Sequence, residues 1–176
     1  VWAEVNNKYL IIIEDKTVTS EHSNQLERYK EIAEKWCSEN GYETPICIYL
    51  KTGNESLSIF NAIKGKGYAI FDRTDFITLF KNHKEVRNNI FIDFYERMTS
   101  MEKLSTEFEN KPLEDWNGND WQGFFKLIET KIHILKWHYV NNPNGGFWNA
   151  ILNWDYWGDY PVYIQLEEGK LCFKLS

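Results

Sequence analysis

The chain has 176 residues, 43% of them hydrophobic and 16% aromatic, and carries a net charge of −6. That length suits one compact domain with a real core, and that composition excludes a disordered chain. The acidic balance excludes bulk positive charge as the means of holding nucleic acid, although lysines gathered near a cleft would still make a local basic groove.

Residues 1–5 alternate apolar and other side chains, Asn6-Asn7-Lys8 supplies a turn, and residues 9–13 form a β-branched run that reads as a buried strand. Together these predict a β-hairpin. The first residue is Val and stands inside the first strand, so the sequence as given is expected to begin mid-domain. Thr19 and Ser20 are N-cap candidates for a helix running to about Asn40-Gly41, with Leu26, Tyr29, Ala33 and Trp36 or Cys37 on its apolar face. Residues 45–51 (PICIYLK) make a third strand, closed by Gly53-Asn54. Lys64-Gly65-Lys66-Gly67 reads as a loop, residues 68–71 as a short strand, and Thr74 or Asp75 as the cap of a short helix through Phe80.

A long helix is expected over residues 89–108, and residues 121–138 read as helical too. Beyond Pro143-Asn144-Gly145-Gly146, residues 161–167 and 171–175 alternate around Glu168-Gly169-Lys170 as a terminal hairpin. The order β-β-α-β, then helices, then a hairpin, gives a mixed α/β fold with one domain over residues 1–176. Cys37, Cys47 and Cys172 form no CxxC pair, which argues against a zinc site or a disulfide framework and for a reducing, cytoplasmic setting. No apolar run is long enough for a membrane span.

The chemistry concentrates at Glu14-Asp15-Lys16, where the Ile11-Ile12-Ile13 strand ends. Alternation puts Glu14 and Lys16 on one face and Asp15 on the other. A carboxylate there can hold a divalent ion that acidifies its bound water, and a lysine can orient or deprotonate that water. Oxygen ligands favour Mg²⁺ or Mn²⁺ over zinc. Glu-x-Lys alone is common and reads more readily as a solvated pair at a strand end. The following helix adds Gln25 and Tyr29, one turn apart on one face.

The string IIIEDKTVTSEHSNQLERY resembles the PD-(D/E)XK nuclease superfamily, specifically the family that pairs an (I/V)IE-x-K strand with a QL-x-x-Y helix. The strand ICIYL and the tail segments GGFWNAILNW and PVYIQLEEGKLCFKL resemble it more loosely. The resemblance implies a restriction-endonuclease-like core, a central mixed sheet flanked by helices, followed by an aromatic-rich C-terminal β-hairpin. It implies Glu14 as metal ligand through its carboxylate, Asp15 through its main-chain carbonyl, Lys16 as catalytic lysine, and Gln25 and Tyr29 lining the site. It also implies a DNA substrate cut with Mg²⁺ or Mn²⁺ in restriction, phage defence or a mobile element. Enzymes of the superfamily often work as dimers, and the aromatic tail offers a surface for a homodimer.

One departure matters. The superfamily's first acid should face Glu14 from the preceding strand, where Glu4 is the one acid available. A two-residue turn sets Glu4 against Tyr9 or Ile11, and a three-residue turn sets it against Leu10, so the position opposite Glu14 falls at Val1 or before it. The first acid is therefore expected upstream, and the chain as given is expected to bind metal poorly and cut little. A different class of function fits the same facts: a catalytically silent nuclease-like domain that binds nucleic acid or a protein.

Other groups read as surface or core. Lys81, Lys84 and Arg87 recur every third residue, and Lys64 and Lys66 flank a glycine; each set suits either a phosphate track or a solvated face. His22 lies near the helix start, within reach of a phosphate. His83, His133 and His138 lack ligand spacing, and Trp148, Trp154 and Trp157 are expected to fill a core or subunit interface rather than stack bases.

Overall fold

The computed structural model describes residues 1–17, 24–143 and 145–176. Thr19, Ser20 and His22 lie outside the described residues. The chain forms two compact units, one made of Val1–Gly53 and Phe60–Met98, the other of Asn54–Ile59 and Thr99–Ser176.

In the first unit, β1 (Trp2–Val5) and β2 (Tyr9–Lys16) pair antiparallel around a three-residue turn. Asn6 and Asn7 both take left-handed backbone, at φ 53 and φ 51, a conformation asparagine tolerates better than most residues. The turn sets the register Glu4↔Leu10 and Trp2↔Ile12. Helix α1 (Gln25–Asn40) buries Leu26, Ala33 and Cys37 and stops at Gly41, whose φ of 74 suits glycine and returns its N–H to Cys37 O. Strand β3 (Ile46–Lys51) joins β2 in parallel, and β4 (Ala69–Asp72) joins β3 in parallel, giving the order β1-β2-β3-β4. The parallel pairs need crossovers. These are α1 and a second helix, α2 (Leu57–Gly65).

Helix α2 was not expected, and Lys64 belongs to its last turn rather than to a loop. Helix α3 (Arg73–Lys81) is capped by Asp72, not by Thr74 or Asp75. The Asp72 carboxylate accepts from the N–H groups of Thr74 and Asp75, while the Asp75 side chain accepts from the Asp72 N–H in a capping box. Helix α4 (Asn89–Leu104) ends four residues short of its expected limit, and a 3₁₀ turn, Glu107–Asn110, follows. Phe71, Phe76, Phe80 and Phe94 pack edge-on in the first unit.

The second unit contains α5 (Gly118–Ile128), capped by Asn117 with Asp120 completing a capping box. Residues 121–138 do not form one helix: α5 ends at Ile128 and β5 (Lys136–Val140) begins eight residues later. The apolar side chains Ile132, Ile134, Leu135 and Trp137 prolong a helical-looking pattern, but the backbone of β5 finds its partners on β6 (Phe147–Trp157). With β7 (Tyr160–Glu167) and β8 (Lys170–Leu175) these make an antiparallel sheet of order β5-β6-β7-β8. The terminal hairpin is thus the outer half of a four-stranded sheet. Trp137 and Ala150 on its covered face pack with Trp121, Phe125 and Ile134 into the core of this unit. Trp148 packs against that cluster, as expected for a core residue, whereas Trp157 is 77% exposed.

Among the described residues no helix is long and apolar enough to cross a membrane.

Candidate active site

The site is built where the parallel strands end. Partnered residues of a sheet share a face. The register Glu14↔Tyr49, Lys16↔Lys51 and Lys51↔Asp72 therefore puts Glu14, Lys16, Lys51 and Asp72 on one side, with Asp15 and Leu50 on the other. Ligands of sheets with parallel strands collect at the carboxyl ends of those strands, where side chains of neighbouring strands converge.

Glu14 and Lys16 meet in an ion pair of 2.7 Å, each side chain 14% exposed. Lys16 Nζ also donates to Gln25 Oε1 at 3.4 Å, and Gln25 Nε2 donates to Tyr29 Oη at 2.9 Å. The one-turn spacing on α1 makes the second link possible, because residues four apart stack on the same helix face. The four side chains singled out by the motif thus form one connected chain running from β2 onto the first turn of α1. Asp15 turns its exposed side chain away from them.

A cleft of about 490 Å³ opens beside this chain, lined by Glu14 and Tyr29 together with Val1, Trp2, Ile12, Ile13, Ile32 and Tyr68. Tyr68 is buried and its hydroxyl donates to Leu26 O at 2.9 Å, which ties the start of α1 to the loop before β4. Lys51 ends β3 and Arg73 opens α3 directly after β4; both are buried, and Arg73 Nη1 donates to Thr52 O at 3.0 Å. In a chain of net charge −6, Lys16 and Lys51 thus pair at the carboxyl ends of the two interior strands, with Arg73 just beyond the end of β4. Sequence reading passed over Lys51, although the strand PICIYLK ends in a lysine just as IIIEDK does and the two pair in register.

Glu4 is not part of this arrangement. It opposes Leu10 and accepts a hydrogen bond of 3.0 Å from the Tyr42 hydroxyl, and that bond, chiefly, raises the Tyr42 phenol above its ordinary range. Val1 exchanges main-chain hydrogen bonds with Ile13, so no residue of β1 stands opposite Glu14. Among the described residues no three His, Cys, Asp or Glu side chains gather as a metal group.

The other basic candidates lie apart. Lys81 ends α3, Lys84 sits in the turn after it and Arg87 in the loop beyond, all exposed, so their three-residue recurrence does not make a stripe on one helix. Lys66 is engaged with Glu27 of α1 at 2.9 Å. His83 is exposed beside Glu85.

A family model described as the PD-(D/E)XK nuclease superfamily matches residues 2–117, running from β1 to the residue before α5 and including every residue of the Glu14–Tyr29 chain. No curated protein and no solved structure matches. The sheet of mixed strands flanked by helices and followed by an antiparallel sheet agrees with a restriction-endonuclease-like fold. By that match over most of its length, the chain belongs to the PD-(D/E)XK nuclease superfamily.

Proposed function

We propose that the protein hydrolyses phosphodiester bonds of DNA with the help of Mg²⁺ or Mn²⁺, using Glu14, Lys16, Gln25 and Tyr29. The carrying observation is the unbroken chain of contacts Glu14–Lys16–Gln25–Tyr29 beside a cleft. Mg²⁺ commonly takes one or two protein carboxylates and fills its remaining positions with water and substrate phosphate oxygens. Glu14's carboxylate and Asp15's main-chain carbonyl are oxygen donors of that kind and fit it. When bound, such a cation polarises the phosphoryl group and makes a nearby water more acidic.

The protein's own groups do the rest. Lys16 is held between Glu14 and Gln25, so its ammonium is positioned before substrate arrives and can orient the attacking water or meet charge developing on phosphate oxygens. The direction of the hydrogen bonds sets the role of Tyr29. Its oxygen accepts from Gln25, which leaves its own O–H to donate outward, and an anionic phosphate oxygen is a fitting acceptor. Lys51 adds positive charge on the same side.

A second reading is favoured by one observation, the lack of a gathered group of metal-ligating side chains among the described residues. In that reading the domain is catalytically silent and binds nucleic acid or a protein. Incubation of plasmid and oligonucleotide DNA with Mg²⁺ or Mn²⁺, beside a Lys16→Ala variant, separates the two. Cutting that depends on Lys16 supports the nuclease, and DNA binding without any cutting supports the silent domain. Both units are taken as parts of one nuclease-like domain, since the family match runs from the first into the second. Three cysteines without disulfides suit a reducing, cytoplasmic site of action.

A further inference from the structure

The antiparallel sheet of the second unit lays Trp137 and Ala150 into its core and turns its other face to a cleft of about 420 Å³. Register assigns that cleft face. His138, Asn149 and Glu167 form one row across β5, β6 and β7, and Trp154, Tyr163 and Lys174 form another across β6, β7 and β8. A bulge at Leu152 shifts the alternation of β6 and brings Trp154 to the side that Asn149 occupies.

The two rows differ in chemistry. Trp154 and Tyr163 stack with centroids 4.5 Å apart and planes 11° from parallel, and Trp154 remains 43% exposed. Asn149 is 2% exposed; its Nδ2 donates to Gln165 Oε1 at 2.9 Å, and Gln165 Nε2 in turn donates to Glu167. Glu167 also pairs with Lys174. Asn149 and His138 line the same cleft, and their buried Oδ1 and Nδ1 atoms have no hydrogen-bond partner among the described residues. Burial, and then the charge of Lys136, hold the His138 ring below its ordinary titration range. A buried acceptor without a partner is costly unless something supplies the missing donor.

We infer that this face binds single-stranded nucleic acid, stacking an unpaired base on Trp154, reading a neighbouring base edge with Asn149 and His138, and meeting the phosphate backbone with Lys136. An exocyclic amine of a base supplies the donor that Asn149 Oδ1 lacks. Aromatic side chains on an open sheet beside cationic residues are the physical form of a single-strand platform, because every base has a face to stack. A duplex hides those faces, and a neutral sugar would leave Lys136 with no charge to meet. The choice of nucleic acid rests on the nuclease reading, but the site shares no residue with Glu14, Lys16, Gln25 or Tyr29.

The test is fluorescence anisotropy of the whole chain with a labelled DNA strand of roughly 12 nucleotides, free or annealed to its complement, in EDTA so that no cutting occurs. The free strand is expected to bind at least about tenfold more tightly than the duplex. Trp154→Ala should weaken binding by about 5- to 150-fold, the usual range for a stacked base, and Trp154→Phe should restore most of it. Lys136→Gln should reduce the salt dependence of log K by about 0.7, as for one lost phosphate contact on a single strand. Equal affinity for strand and duplex, or parent-like binding and salt slope in Trp154→Ala and Lys136→Gln, would overturn the inference. A protein that binds the free strand but never cuts DNA sinks the nuclease reading alone.

Discussion

Lys16 is the hub between Glu14 on its own strand and Gln25 on the next helix, at 2.7 Å and 3.4 Å. Its ammonium is thus fixed from two directions by groups that arrive at different points in the sequence. Glu14 comes with it through strand alternation, and Gln25 comes by the packing of α1 against β2. Positioning of this kind does part of a catalyst's work before the substrate binds.

The far end of the chain is the most exposed, since Tyr29 is 39% accessible. Its hydroxyl can be deleted without opening the core. Tyr29→Phe is expected to slow cleavage by about 10- to 150-fold, the worth of a hydrogen bond to a charged oxygen, with an unchanged melting temperature. Steady-state cleavage of a labelled oligonucleotide reads this out, and an unimpaired rate would remove Tyr29 from the site.

Glu4 offers a control for the position of the first acid. Glu4→Gln should leave cleavage unchanged, because Glu4 faces Leu10 and is engaged by Tyr42. The same substitution should lower the titration of the Tyr42 phenol, since a carboxylate acceptor favours the neutral hydroxyl. Ultraviolet titration of the variant against the parent measures the second effect. A loss of cutting in Glu4→Gln would mean that Glu4 serves the site after all.

Gly53 tests how the strand ends are held. A Cβ at this position would lie 2.1 Å from Thr17 O, a main-chain atom directly after Lys16. Gly53→Ala must therefore push the end of β2 out of place. Cleavage is expected to fall by about 100-fold, as for a displacement of order 1 Å at a reacting group, together with a loss of stability of about 1–3 kcal/mol from overpacking. Denaturant unfolding and cleavage assays on one preparation check both; parent-like values in each would contradict the placement.

Much of this was legible in the sequence, for physical reasons. IIIEDK announces a buried strand with a polar exit, and the apolar spacing of α1 with Gly41 beyond it marks both the face and the end of that helix. The turn Asn6-Asn7-Lys8 left three registers open, and two left-handed asparagines chose the one that pairs Glu4 with Leu10. The second unit was harder. Residues 129–137 carry apolar side chains at helical steps with no Gly or Pro among them, and only pairing with β6 makes β5 a strand. Strand β6 was hidden by its own bulge, since an extra residue at Leu152 breaks the period of two by which strands are recognised. Trp154, expected to lie in a core or interface, lines the open cleft for the same reason.

His138 gives a prediction in pH. Burial, chiefly, keeps its folded value below the ordinary histidine range, so as the pH falls through that range the unfolded chain takes up a proton that the folded chain resists. Stability should therefore fall as pH drops from 7 through the ordinary histidine range toward the folded value, and the loss should cease below it. His138→Gln should flatten this part of the profile. Melting temperatures of parent and variant between pH 7 and pH 5 decide it, and identical slopes would show that His138 does not titrate with folding.

The central claim is that Lys16 acts in phosphodiester hydrolysis. The most direct measurement is cleavage of DNA by the parent and by Lys16→Ala in Mn²⁺ or Mg²⁺, with circular dichroism to show that both are folded. The parent's cutting is expected to fall at least about 100-fold in the variant. Equal cutting by the two proteins would contradict it.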